Sequence, residues 1–127
     1  MSDFNSRHNR AVWFDIAVAD LERAAAFYAA VLAIPVHKEQ YEDFSFCVLD
    51  HDQGNGGCLV VDAEEISTTG PLIYLNVNGR IRDAVDKVAQ HGGSVLQDVH
   101  AIGPHGCRAV VIDSEGNRIA LHSTVDA

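Results

Sequence analysis

Basic side chains are scarce in this sequence. Nine lysines and arginines stand against eighteen aspartates and glutamates, a formal net charge of −9 over 127 residues. The nine are scattered, whereas a surface that tracks a nucleic-acid backbone needs them clustered. Neither nucleic acid nor an anionic membrane surface is therefore expected as a partner. Long apolar runs are missing too: the stretch 24–36, the longest free of charge and strong polarity, falls short of the roughly 20 residues a span requires. Residues 1–10 hold no apolar core of the signal-peptide kind, so a cytoplasmic location is expected. Cysteine is limited to Cys47, Cys58 and Cys107, an odd number with no close pair. That fits reduced thiols better than a disulfide framework. Glycine and proline gather into no linker, and no low-complexity tract divides the chain. What is present is an ordinary globular mixture, 47% apolar. A chain of this length buries roughly two-thirds of its unfolded surface, so it can hold a core without staples.

The chain also contains itself twice. Trp13-Phe-Asp-Ile-Ala-Val-Ala-Asp-Leu-Glu-Arg-Ala leads into an apolar helix pattern, and Leu72-Ile-Tyr-Leu-Asn-Val-Asn-Gly-Arg-Ile-Arg-Asp-Ala leads into another. Val18 matches Val77 and Ala24 matches Ala84, with one residue inserted at the turn. Downstream, Phe46-Cys-Val-Leu-Asp50 passes through Gly54-Asn55 into Gly57–Val61. In the same way Ala109–Asp113 passes through Gly116-Asn117 into Ile119–His122. Each half reads as a strand, a helix, and a strand hairpin turned at Gly-Asn.

Local signals agree with that reading. Trp13 to Val18 is a short apolar-rich run bounded by Asp20, as in a strand. Asp20 is placed to cap a helix running to about Leu32. The stripe Ala24, Phe27, Tyr28, Val31 has core-facing helical spacing, and Pro35 forbids continuation. In the second half Asn78 or Gly79 is expected to open a helix with the stripe Ile81, Ala84, Val85, Val88, stopped by Gly92-Gly93. Half-chains of about 60 residues are marginal alone. The expectation is one domain over 1–127: a module at about 11–62, a polar connector at 63–70, and a second module at about 71–124.

Three segments carry a resemblance to a known group of proteins: 13–28 with its Asp-Leu-x-Arg-Ala…Phe-Tyr helix, Gly70–Val77, and Ile112–His122 with its Asp-x-x-Gly-Asn turn. The sequence resembles the vicinal oxygen chelate superfamily, which includes glyoxalase I, bleomycin-resistance proteins, extradiol dioxygenases and fosfomycin-resistance proteins. The resemblance covers nearly the whole chain after residue 10. It implies an α+β fold of two tandem βαβββ modules, each a half-open barrel around a cavity, and a homodimer. It does not select an activity, because the superfamily hosts several chemistries.

Metal-dependent members carry His, Gln or Glu ligands on the first and last strand of each module. Aligned by motif, those positions fall on Trp13, Cys58, Leu72 and Ala120. Trp, Leu and Ala cannot coordinate a divalent cation, and one cysteine is not a site. No cofactor is expected, a divalent metal is disfavoured, and so are glyoxalase I and extradiol dioxygenase activity. Two residues along each strand keep the same face. That step gives Asp15 from Trp13, Tyr74 from Leu72, His122 from Ala120 and Val60 from Cys58. If Trp13 faces the cavity, Asp15, Tyr74 and His122 face it too, and a one-residue slip would turn all three away.

This trio suggests a catalytic set. A carboxylate beside His122 would suit it to acid–base work, and Tyr74 could donate to a developing oxyanion. The reaction would then be proton abstraction beside a carbonyl, a lyase or isomerase step. A weak metal held by Asp15 and His122 is a variant. Trp13, Phe46, Cys58 and Leu72 are the expected ligand-contacting residues of a small-molecule cavity. The same residues fit blander roles: Asp15 and His122 satisfying each other or the backbone, Tyr74 and the phenylalanines as packing, Cys58 as a small hydrophobe. A non-catalytic protein that sequesters a drug or metabolite, or an interaction module with a filled core, therefore stands beside the enzyme. His100, His105 and Cys107 match no zinc spacing, and residues 102–106 read as a loop at the cavity lip. Gly54–Gly57 lacks the Lys-Ser/Thr of a phosphate loop and reads as a turn. His8, His37, His51 and His91 read as solvated.

Overall fold

The computed structural model describes residues 7–127. The first six, part of the segment read above for a signal peptide, lie outside the described residues. Strand β1 (Asp15–Val18) leads to Asp20, whose carboxylate accepts the Arg23 amide hydrogen at 3.1 Å and so caps helix α1 (Leu21–Leu32). The helix ends where Ala33 turns left-handed at φ 56°. Ile34, next before Pro35, is disfavoured from the helical region, so the chain must leave the helix there. Strands β2 (Val36–Tyr41), β3 (Phe44–Leu49) and β4 (Cys58–Val61) complete the first module.

The connector contains a single 3₁₀ turn at Ala63–Glu65. The second module follows as β5 (Tyr74–Asn76), α2 (Ile81–Gln90), β6 (Ser94–Ala101), β7 (Cys107–Ile112) and β8 (Arg118–Ser123). One start differs from expectation. Helix α2 is capped by Arg80, with no side-chain bond, rather than by Asn78 or Gly79. Gly79, at φ 77°, makes the preceding turn. The Asn78 carboxamide is committed elsewhere, accepting the Thr124 amide hydrogen at 2.6 Å.

Each module is a four-stranded sheet, ordered β1-β4-β3-β2 and β5-β8-β7-β6. The first strand of each runs parallel to the last, pairing Asp15 with Cys58 and Tyr74 with Ala120. This is the two-module architecture the repeat implied. The hairpin turns are not equal, however. Residues 113–117 form a tight turn, while residues 50–57 make a longer loop closed by a Leu49 N–H to Gly57 C=O bond of 3.0 Å. Gly57 is required where that loop crosses Phe14, because a Cβ there would lie 2.4 Å from the Phe14 ring.

Strand alternation sorts the side chains. Ile16, Val18, Leu59, Leu75, Val77, Val111, Ile119 and Leu121 join Phe27, Tyr28, Val31, Ile81 and Val88 of the two helices in one buried cluster. Both modules therefore share a single core. Each fully buried side chain of this size contributes about 1.5–3 kcal/mol. The opposite sheet faces carry Asp15, Phe46, Cys58 and Val60 in the first module, and Tyr74, Arg108, Ala120 and His122 in the second.

A polar lock joins the modules. The β7–β8 turn, Asp113-Ser-Glu-Gly-Asn117, is buried at Asp113 (1% exposed) and Asn117 (9%). One oxygen of Asp113 accepts the amide hydrogens of Glu115, Gly116 and Asn117, each at 2.9 Å. The other accepts the Tyr28 hydroxyl at 2.5 Å and the Asn117 carboxamide at 3.1 Å. Asn117 also donates to the Ala17 carbonyl at 2.7 Å. Glu115 reaches across to accept the Ala19 and Asp20 amides at 3.0 and 2.9 Å and to pair with Arg23 at 2.8 Å. The short turn motif that marks the sequence is thus the clasp between β1, α1 and the second module.

Candidate functional site

The sequence-derived trio falls into two groups. Asp15 sits at the start of β1 and accepts the Cys58 thiol hydrogen at 3.2 Å across the parallel pair. Burial, together with that bond, pushes the Cys58 thiol up to about 11. At neutral pH it is a protonated donor rather than a thiolate ligand or nucleophile. Tyr74 and His122 lie together in the second module, their ring centroids 6.4 Å apart. The Nε2–H of His122 donates to the His105 carbonyl at 2.7 Å, since a carbonyl can only accept. That bond ties the 102–106 loop to β8. None of the three cavities described below is lined by Asp15, Tyr74 and His122 together.

The four residues expected to touch a ligand also separate. Trp13 stands just before β1, packed edge-on against His51 with centroids 5.6 Å apart. His51, read above as solvated, is half-buried for this reason. Phe46 stacks on Phe44 at 5.6 Å. Leu72 is half-buried just ahead of β5, and Cys58 is buried. Of these four, Trp13 alone lines one of the described cavities.

Cavities lie at or beside the junction among the described residues. One of about 350 Å³ is walled by Trp13, Phe14, Ile73 and Tyr74 with Ala11, Asn55 and Gly56. A second, about 290 Å³, shares Phe14, Asn55, Gly56 and Tyr74 and reaches Asp50, His51 and Asn76. The third, about 470 Å³, lies under the connector, with Asp15, Asp62, Glu65, Asn117 and Arg118 among its walls.

The four positions that the resemblance aligned with metal ligands are Trp13, Cys58, Leu72 and Ala120. Trp13, Leu72 and the fully buried Ala120 offer no donor, and Cys58 holds its proton. Among the described residues no three His, Cys, Asp or Glu side chains are grouped to hold a metal ion.

Sequence reasoning passed over Arg108. It projects from β7 opposite His122 in the antiparallel register, on the same face as Tyr74. Counting back from the Asp113–Asn117 turn would have paired Arg108 with His122. The equivalent count fails in the first module, where the turn is a longer loop.

The paired βαβββ modules, with open sheets around the junction, place this chain in the vicinal oxygen chelate superfamily. A family model described as the Glyoxalase-like domain matches residues 11–122, and the chain belongs to that family. Several solved structures share the fold. A hypothetical protein of S. aureus superposes with a TM-score of 0.70 at 24% identity, covering 90% of this chain and 96% of that one. A glyoxalase-related enzyme from Fulvimarina pelagi gives 0.67 at 15% identity over 90% and 87%. A genomically encoded fosfomycin resistance protein from Listeria monocytogenes gives 0.69 at 11% identity over 91% and 93%. No curated protein matches the chain in sequence. No helix is long and apolar enough to cross a membrane among the described residues.

Proposed function

We propose that this protein binds a small organic molecule at the junction of its two modules, without a metal ion at the four positions described above. The observation that carries this reading is the cavity of about 350 Å³ whose walls come from both modules: Trp13 and Phe14 from the first, Ile73 and Tyr74 from the second. Mostly apolar walls with a few polar groups at the rim are what small-molecule sites share. Trp13 is the only tryptophan in the chain, so its fluorescence reports occupancy directly. A panel of small aromatic carbonyl compounds is expected to include at least one that quenches Trp13 saturably at one per chain. No saturable quenching across the panel, with melting temperature also unmoved, would reject the reading. Elemental analysis of protein purified without chelator is expected to find no stoichiometric divalent ion, and one ion per chain would overturn the metal-free part.

A catalytic reading draws on the 6.4 Å approach of Tyr74 and His122. In it Tyr74 donates a hydrogen bond to an oxyanion forming beside a carbonyl. His122, whose Nε2 is held by His105, takes the proton at Nδ1. Asp15 is bonded to Cys58 instead of His122, so the carboxylate that would orient the imidazole is engaged elsewhere. Binding is the reading the geometry supports better.

A further inference from the structure

Arg108, which like Lys87 and Arg118 forms no ion pair among the described residues, is held instead by three neutral side chains. In a chain with eighteen carboxylate side chains, Arg23, Lys38, Arg80 and Arg82 each hold one of them. Among the described residues Arg108 holds none. Its partners are all neutral acceptors: His100 Nε2 at 3.1 Å, the Tyr74 hydroxyl at 2.5 Å and Gln97 Oε1 at 3.5 Å. His100 is fixed as an acceptor because its Nδ1–H is spent on the Asp98 carbonyl at 2.8 Å. The guanidinium carbon also lies 5.8 Å from the centre of the Tyr74 ring.

The donors can be counted. A guanidinium has five N–H groups, and three are used, one on each nitrogen. One N–H on Nη1 and one on Nη2 remain. Tyr74 accepts from Arg108, so its own O–H is free to donate. Two charged donors and one neutral donor thus meet on the open sheet face with no anion supplied by the described residues. A half-buried guanidinium positioned by three neutral groups keeps its full charge for something else. The same Tyr74 ring forms a wall of the apolar cavity that holds Trp13.

We infer that Arg108 and Tyr74 form a receiving site for the oxyanion head of a small amphipathic acid, a carboxylate or a phosphate ester, whose apolar body occupies the cavity beside Trp13. This rests on the reading that the cavity binds a small molecule, and it names the chemical class. Tyr74 is the hinge of the arrangement, with its ring against the apolar part and its hydroxyl beside the charge. A charge-assisted bond to a guanidinium is strong enough to separate an acid from its neutral isostere by about tenfold or more.

Calorimetric titration with 2-naphthoate, 2-naphthyl phosphate and the neutral 2-naphthamide tests it, on wild type and on Arg108→Gln. One or both anions are expected to bind at least about tenfold tighter than the amide. Arg108→Gln should erase that preference, weakening the anions far more than the amide, with the melting temperature within a few degrees of wild type. The stronger anion distinguishes the two headgroup sources. Equal affinity for all three probes, or an anion preference that survives Arg108→Gln, overturns the anion site while leaving the cavity standing. Failure of all three to bind overturns both. An Arg108→Gln variant with lowered melting temperature and lost amide binding would show a structural role and also reject the proposal. Arg108→Lys, which keeps charge but not the fork, should retain part of the preference.

Discussion

Replacing Asp113 with alanine is expected to cost about 3–5 kcal/mol of folding stability, the scale seen when a buried charged network loses its centre. Asp113 is 1% exposed and accepts five hydrogen bonds, three from its own turn and two from Tyr28 and Asn117. Alanine strands the Tyr28 hydroxyl, whose residue is wholly buried. It also releases the turn that brings Asn117 to the Ala17 carbonyl. Burial foremost, with the facing Asp113 carboxylate, raises the Tyr28 pKa well above its usual value, so the phenol remains a donor through the ordinary pH range. Urea unfolding at pH 7 measures the loss. Should the alanine variant fail to fold, Asp113→Asn and Tyr28→Phe give graded alternatives, each expected to lose about 1–3 kcal/mol. Variants within experimental error of wild type would show that the clasp does not hold the modules together.

The second large effect is acid sensitivity centred on Glu115. Burial raises the pKa of this carboxylate, but Arg23, the Asp20 and Ala19 amides and Ser114 more than reverse that, leaving it at about 2 against an ordinary 4.5. A depressed folded-state pKa means that folding favours the ionised form. Its stabilisation is complete above pH 4.5 and is lost as the pH falls toward 2, by up to about 3 kcal/mol. The half-exposed Arg23 side is screened by solvent, so about 2 kcal/mol is the more realistic yield. Glu115→Gln should therefore be less stable than wild type at pH 7 and converge on it only as the pH falls to about 2 and below. Parallel stability–pH curves for the two proteins would remove Glu115 from the account.

Much of the fold was legible because its signals are local. The stripe Ala24, Phe27, Tyr28, Val31 and the cap at Asp20 depend on residues within two helical turns, and they placed α1 at its observed ends. The repeat paired Asp15 with Tyr74 and Cys58 with Ala120 before any strand was seen, and the ladder follows that pairing. The start of α2 was less legible, since Asn78 resembles a cap until Thr124 is found bonded to it. The expected site was legible as a set of residue types on one sheet face. Its assembly was not. Asp15 is engaged by Cys58 rather than by His122, and the meaning of Arg108 lies in neutral partners that only the folded sheet brings to it.

By itself the sequence determined the two modules, the helix faces and the strand alternation, all consequences of spacing along the chain. Only the tertiary structure decided partnership. Arg23 finds Glu115 from 92 residues away, Asn117 finds the Ala17 carbonyl from 100, and Tyr74 finds Arg108 from 34. The first two depend on how one module packs on the other, the third on the strand order within the second sheet. Periodicity says which way a side chain points, and the packing of one module on the other decides what it meets there.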